Sequence, residues 1–300
     1  MRRSNRTCLS TAAIAMAMLG LCGSGMAAEE SVAPGEEEVI VEEVVIVEED
    51  QAALAKQIQN PLANLVSLPL QFNFNEGVNA IPVAGVDIPG GRRFFNLNVQ
   101  PVIPFSREKW NIISRTIIPV NSVPQGETDS VFGIGDTSLS LFWSPNNASS
   151  LTWGVGPAFS LPTASNPEVL GTEKFSLGPT GVLFYGVGNW TMGVVASNVW
   201  SVAGNSDRTD VNFFFAQWFV NYNLGQGWAV GSAPILTANW EAESGNQWTI
   251  PWGLQVSKVT KFGSQPVNLL IGYYTNSEHP DGDAESQVRF QVNFMFPQKK

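Results

Sequence analysis

From Val66 to the C-terminus the sequence repeats one kind of unit: about ten residues in which apolar and polar side chains alternate, closed off by turn residues. The last copy is the clearest. Val288, Phe290, Val292, Phe294 and Phe296 fall on one parity, and Gln287, Arg289, Gln291 and Asn293 on the other. Successive side chains of a strand point to opposite faces, so each such segment has one apolar and one polar face.

Twelve segments of this kind can be traced, at about 65–75, 93–105, 110–120, 134–143, 151–162, 175–185, 190–202, 211–222, 228–240, 248–260, 266–276 and 286–296. Most are longer than the five or six residues usual in globular strands, and match the roughly 9–11 residues of a tilted strand crossing a bilayer. Connections after even-numbered strands are mostly short, as at 106–109, 186–189, 223–227 and 261–265, with Ser144 to Ser150 somewhat longer; those after odd-numbered strands tend to be longer and more polar, including Asn121 to Gly133. Short turns at one end and longer loops at the other fit an outer-membrane barrel, with both termini on the short-turn, periplasmic side.

Aromatic positions argue the same way. Phe105, Trp143, Tyr185, Tyr222, Phe262 and Phe296 end strands at the short turns, and Trp110, Trp153, Trp190 and Trp228 follow those turns. Phe95, Phe175, Trp200, Phe214, Trp240 and Trp248 sit toward the long loops. Two aromatic belts around an apolar band are what the two interfaces of a bilayer favour. The chain therefore reads as all-β: a transmembrane, antiparallel, up-and-down barrel of about 12 strands. Bare backbone groups cannot face hydrocarbon, so the first strand must pair with the last. Pro69, Pro101, Pro104, Pro119, Pro157, Pro179, Pro234 and Pro251 each remove a ladder donor, marking bulges or rims. Lys258 falls on the apolar parity, as a snorkelling side chain or the sign of a bulge.

The N-terminus reads differently. Arg2, Arg3 and Arg6, the apolar run from Ala12 to Leu21 and the small residues before Glu29 make residues 1–28 a secretory signal. Cys8 and Cys22 both lie within it, so the mature chain has no disulfide framework. Residues 29–50 carry ten acids and no base. With the signal's three arginines set aside, 16 acids face 13 bases in the remainder, a body of about −3. The low charge balance thus belongs to a periplasmic arm, 29–60, and neither part suits nucleic acid. The arm is a weakly structured tether, or a segment that orders on a periplasmic partner or on divalent cations. Asp50 can cap a short helix over 51–59 that Pro61 stops. Residues 61–300 form the barrel.

Several runs resemble one family: Leu54-Ala55-Lys56-Gln57-Ile58-Gln59-Asn60-Pro61, Gln100-Pro101-Val102-Ile103-Pro104-Phe105, Arg115-Thr116-Ile117-Ile118-Pro119, Gly133-Ile134-Gly135-Asp136, Trp153-Gly154-Val155-Gly156-Pro157, Asn239-Trp240-Glu241-Ala242 and Ser244-Gly245-Asn246-Gln247-Trp248-Thr249. They are similar to Gram-negative outer-membrane barrels catalogued with the phenol meta-pathway degradation proteins as porins or transporters. The similarity spans about residues 54–297; the acidic tract is not part of it. It implies an outer-membrane channel or transporter for small solutes, aromatic or hydrophobic ones included.

The residues offer little for catalysis. The single histidine, His279, lies in a predicted loop beside Glu278, Asp281 and Asp283, without the arrangement a Ser–His–acid triad needs. Asp281 and Asp283 fall short of a calcium ligand set. No cofactor, metal or enzymatic role is expected. Function falls instead to the inward face. Its expected lining is Gln71, Asn73, Asn96, Asn98, Gln100, Arg115, Asp136, Gln217, Gln255, Arg289, Gln291 and Asn293. After closure, strands 12, 1 and 2 bring many of these together as a polar pore wall, and Arg115 and Asp136 are placed to pair. The partners expected are outer-membrane lipid and small solutes. The alternative is a closed structural barrel that acts by binding partners through its loops or acidic arm.

Overall fold

The computed structural model describes residues 51–79, 91–126, 128–146 and 149–297; the expected signal (1–28), the acidic tract (29–50) and residues 298–300 lie outside the described residues. The described chain forms a closed antiparallel barrel of twelve staves. Nine are single strands: β1 (Leu65–Val78), β4 (Trp110–Gln125), β7 (Leu151–Leu161), β8 (Lys174–Val187), β9 (Trp190–Gly204), β10 (Asn212–Gly225), β13 (Trp248–Phe262), β14 (Gln265–Glu278) and β15 (Ser286–Pro297). Three are interrupted: β2 (Arg92–Val99) with β3 (Val102–Ser106), β5 (Asp129–Ile134) with β6 (Thr137–Pro145), and β11 (Trp228–Ser232) with β12 (Ile235–Asn239). The barrel closes where β1 pairs β15, from Leu65 opposite Pro297 to Glu76 opposite Ser286. Closure joins the first stave to the last, which is what lets a sheet stand in lipid; β5, which pairs β4 alone, keeps one unpaired edge.

The short turns are as tight as their sequences allow. Val187 pairs Trp190 and Phe262 pairs Gln265 across two-residue connections. Their first residues, Gly188 at φ 55° and Gly263 at φ 61°, occupy the left-handed region that favours glycine. The loop expected over Asn121 to Gly133 is instead an extension of its strands. β4 and β5 stay paired to Gln125 opposite Asp129, so that stave pair rises beyond its neighbours.

The three interruptions account for part of the proline pattern. Pro101 and Pro234 stand in the gaps of the first and third broken staves. In the gap before Pro101, Gln100 N donates to the Pro69 carbonyl, so a neighbouring proline still serves as acceptor. Pro157 and Pro179 face each other across β7 and β8, so two missing donors fall at one rung. The gap at Gly135–Asp136 is bridged by the following loop: Ser165 Oγ accepts from Ile134 N at 3.0 Å, and Thr163 Oγ1 from Thr137 N at 2.9 Å.

The outward face is apolar and bare. Leu254 is 74% exposed, Ile271 57% and Val155 54%, with Phe290, Val194 and Leu183 around the same band. Such a surface is too extensive for a monomer in water and is satisfied by lipid. Lys258, on this face, carries its ammonium 5.1 Å from the Trp228 ring centroid and donates to the Gln226 carbonyl. No register shift occurs at Lys258; it snorkels to the turn end rather than marking a bulge.

Candidate functional site

The lumen is built asymmetrically. On one side, β15, β1 and β2 place long amides at successive inward positions, and these amides bind each other. Gln100 Nε2 donates to Gln71 Oε1 at 2.6 Å, Gln71 Nε2 to Asn73 Oδ1 at 3.1 Å, Asn73 Nδ2 to Asn96 Oδ1 at 2.9 Å, and Asn96 Nδ2 to Asn121 Oδ1 at 2.8 Å. Arg289 completes this side. Its Nε donates to Asn73 Oδ1 at 3.2 Å, Nη2 to Gln287 Oε1 at 2.9 Å, and Nη1 to the Ala233 carbonyl at 3.1 Å. Ala233 lies in the gap between β11 and β12, where the ladder is lost. Its carbonyl also accepts from Gln217 at 3.4 Å, and its N–H donates to the Tyr274 hydroxyl at 3.4 Å, which in turn donates to Gln255 at 2.8 Å. Lumen side chains thus satisfy the backbone groups that the proline-marked break exposes.

The short-turn end of the lumen is occupied by the chain itself. Residues 51–59 form a helix, α1, ending just before Pro61. Ala55 packs with Leu65 and with inward Val259 and Met295. Gln59 receives a hydrogen bond from Thr191, and exchanges bonds with Asn223 at 3.0 and 3.2 Å. Leu62 sits among Ile113, Phe142, Val182 and Val195, all inward residues of β4, β6, β8 and β9. Nearby Phe219 lies against Phe184, centroids 6.3 Å apart, and closely approaches Gly193, where a Cβ would meet the ring at 2.5 Å. A cavity of about 200 Å³ is left between this segment, Gln71, Gln100, Gln255 and Arg289.

The opposite side is open. A cavity of about 680 Å³ is walled by β4, β6, β7, β8, β9 and β10. Short side chains, Ser138, Ser140, Ala158, Thr180 and Ser197, alternate with apolar Ile117, Val195, Val199, Phe213 and Phe215. Arg115 and Val195 line both this cavity and the smaller one, so they stand at the partition. Arg115 does not pair with Asp136. Its Nη2 donates to Gln100 Oε1 at 3.0 Å, and its guanidinium lies 5.9 Å from the Phe215 ring centroid across the lumen. Asp136 instead ties down the β7–β8 loop, accepting from Thr172 N and Oγ1, both at 2.7 Å, and from Ala164 N at 3.2 Å. The expected pair fails because the gap at Gly135 hands Asp136 to that loop.

At the long-loop rim, the same loop carries the short helix α2 (Pro167–Leu170), capped by Asn166. Lys174 reaches Asp210 at 3.0 Å, and Arg208 lies 3.4 Å from Glu173. Hydrogen bonds from Lys174 and Ser201, with the Lys174 charge, hold the Asp210 carboxyl below its usual value. His279 sits in the β14–β15 loop with Nδ1 3.0 Å from the Pro280 carbonyl, while Asp281 and Asp283 are engaged by Asn246 and Ala284 N.

Of the expected lining residues, Gln71, Asn73, Gln100, Gln255, Arg289 and Asn293 are buried. Asn98 stands opposite Gln71 and Pro119, and Gln291 opposite Gln71 and Leu270. Asp136 lies apart from this group, on the open cavity, and Arg115 joins it through Gln100 while also lining that cavity. Sequence reasoning missed Ile117, Val195, Val199, Phe213, Phe215 and the inserted Leu62. Their signal is a local loss of alternation, as in Val194-Val195-Ala196 and Phe213-Phe214-Phe215, where both faces become apolar. Phe105, Trp110, Trp143, Tyr185, Trp190, Trp228, Phe262 and Phe296 are exposed at the short-turn end. Tyr222 is half-buried there against Trp190, centroids 4.8 Å apart.

No family model and no curated protein matches the sequence. Among solved structures the chain is similar to the COG4313 outer membrane channel from Pseudomonas putida F1, with 11% identity and a TM-score of 0.57 over 78% of this chain and 96% of that one. It is also similar to the NanC porin, with 9% identity and a TM-score of 0.48 over 77% and 100% of the two chains. A further similarity is to outer membrane phospholipase A from Escherichia coli, with 13% identity and a TM-score of 0.39 over 81% and 98%. At this identity the first likeness is one of fold, and the fold is that of outer-membrane barrels.

Proposed function

We propose that residues 1–28 direct export to the outer membrane of a Gram-negative cell, where the barrel acts as a porin-like channel for small solutes. The observation that carries this reading is the 680 Å³ cavity inside a barrel whose outer face is apolar. The aromatic residues at the short turns form the periplasmic girdle, and the inward residues form the passage. The resemblance to proteins catalogued with phenol degradation makes aromatic and hydrophobic solutes the first to test. Purified protein in planar bilayers and in swelling liposomes provides the measurement. Conductance and entry of small solutes are expected; an assembled barrel with neither overturns the channel.

One observation favours a second reading. Leu62 and Gln59 fill the short-turn mouth, as a closed structural barrel would require. On that reading the acidic tract 29–50 or the loops bind a periplasmic partner or surface partner. Removing 29–50 separates the two: a lost envelope phenotype with flux absent before and after supports the structural barrel, and persistent flux supports the channel.

A further inference from the structure

The two lumen arginines are treated differently by the fold. Each guanidinium nitrogen of Arg289 donates to a protein acceptor. Arg115 makes a single hydrogen bond, to Gln100, and no ion pair among the described residues. A guanidinium offers five N–H donors, so most of those of Arg115 have no partner among the described residues. Among the carboxylates that line the same cavity, Asp136 is held by Thr172 and Ala164, and Asp210 by Lys174. The Phe215 ring 5.9 Å away steadies the cation without neutralising it.

The surroundings of this cation specify what would complete it. A bare inorganic anion would gain the charge but nothing from Ile117, Val199, Phe213 and Phe215. An apolar solute would gain the walls while leaving the guanidinium unpaired in a confined space, at the cost of its desolvation. A molecule with one carboxylate and an apolar body meets both demands. The volume of about 680 Å³ falls within the roughly 300–1,000 Å³ of sites that hold drug-sized ligands.

We propose that the open half of the lumen is a binding site for apolar monocarboxylates, with the carboxylate paired to Arg115 and the ring or branched body against Phe213, Phe215, Ile117 and Val199. This deepens the channel reading and rests on it for its place in transport, although binding itself needs no flux. Arg115 is then the specificity-determining residue, and Phe215 both wall and support for the guanidinium.

The experiment is calorimetric titration of the full mature barrel in detergent with 3-phenylpropionate, its neutral isostere 3-phenylpropanol, and acetate. The acid is expected to bind about tenfold or more tighter than the alcohol, the size of one charge-assisted pair, and acetate more weakly than the acid. Arg115→Met should abolish the preference of acid over alcohol, and Phe215→Ala should weaken both aromatic probes. Equal binding of acid and alcohol by the unaltered protein overturns the site, and that comparison needs no variant to fold. Equal binding of the acid by folded R115M, with heat-modifiable electrophoretic mobility as the check on folding, overturns it too, as does acetate binding as tightly as the acid. Conductance of the same preparation separates the two proposals: binding without conductance keeps the site and removes the channel, and conductance without acid-selective binding does the reverse.

Discussion

The wall formed by β15, β1 and β2 and the wall formed by β4 through β10 enclose one lumen, yet the first is knitted shut and the second stands open. The difference lies in side-chain length. Gln71, Asn73, Asn96, Gln100 and Gln287 are long enough to meet their cross-strand and diagonal neighbours, and each bond made removes one reason for water to enter. Ser138, Ser140, Thr180 and Ser197 are too short to fill the space, and Ile117 and Phe213 leave it without crosslinks. Polarity along a barrel's inner face therefore does not mark the passage. A run of amides makes a packed wall, while serines and small residues make room.

The largest break in this comparison comes from Arg289, the hub of the closed wall. Arg289→Met leaves Asn73, Gln287 and the Ala233 carbonyl without their charged donor, and leaves the β11–β12 gap less supported. Losing a buried, charged hydrogen-bonding centre is expected to cost about 3–5 kcal/mol, read as a drop in the temperature at which the folded electrophoretic band disappears. Arg115→Met, on the open wall, removes a single bond and should cost about 1 kcal/mol. Equal losses for the two variants would erase the distinction between the walls.

The inserted segment is the second feature that separates the two walls. Leu62 is held by Ile113, Phe142, Val182 and Val195; truncating a buried leucine costs about 2–5 kcal/mol. Because the segment is tethered at Leu65, Leu62→Ala should loosen its docking more than the barrel. Conductance should rise while the barrel remains folded; a variant with unchanged conductance would show that residues 51–63 do not obstruct the passage.

The closed wall and the inserted segment also mark where sequence reasoning stops. Alternation, turn glycines and strand-end aromatics are local signals, so strand number, closure and outward face were legible, as Leu254 and Ile271 illustrate. The inward face was legible as to direction but not as to occupancy. Whether Asn73 binds water or Asn96 depends on register between strands 23 residues apart in sequence. Phe213 and Phe215 read as ordinary strand residues because Phe214 beside them is apolar as well. The helix over 51–59 was legible from Asp50 and Pro61, but its docking inside the lumen rests on Val259 and Met295, some 200 residues away. Alternation points Asp136 toward Arg115, but its partners are set by the Gly135 break, which alternation does not mark.

Filling the open wall tests its spare volume directly. Ser140→Phe adds a ring to the cavity opposite Ala158. Since space exists there, stability should change by no more than about 1 kcal/mol, against the roughly 1–3 kcal/mol typical of overpacking a tight core. Solute entry should fall. A large stability loss would mean that the wall is packed after all.

The smallest effect belongs to the rim above the open wall. Lys174 is nearly buried there, its side chain 8% exposed, and its partner Asp210 is 73% exposed. Hydrogen bonds from Lys174 and Ser201 lower the Asp210 carboxyl from 3.8. Between the unfolded and folded values the unfolded chain therefore binds more protons, so stability rises with pH across that interval. The pair's contribution is fully present above 3.8 and fades as pH falls through the lower, folded value. Asp210→Asn should make the loop over residues 205–211 more susceptible to proteolysis at neutral pH, with an acid-stable protease such as pepsin bringing the unaltered protein and the variant together in strong acid. A difference that persists there would assign the effect to something other than the carboxylate's charge, since the protonated acid and the amide present Lys174 with the same neutral neighbour.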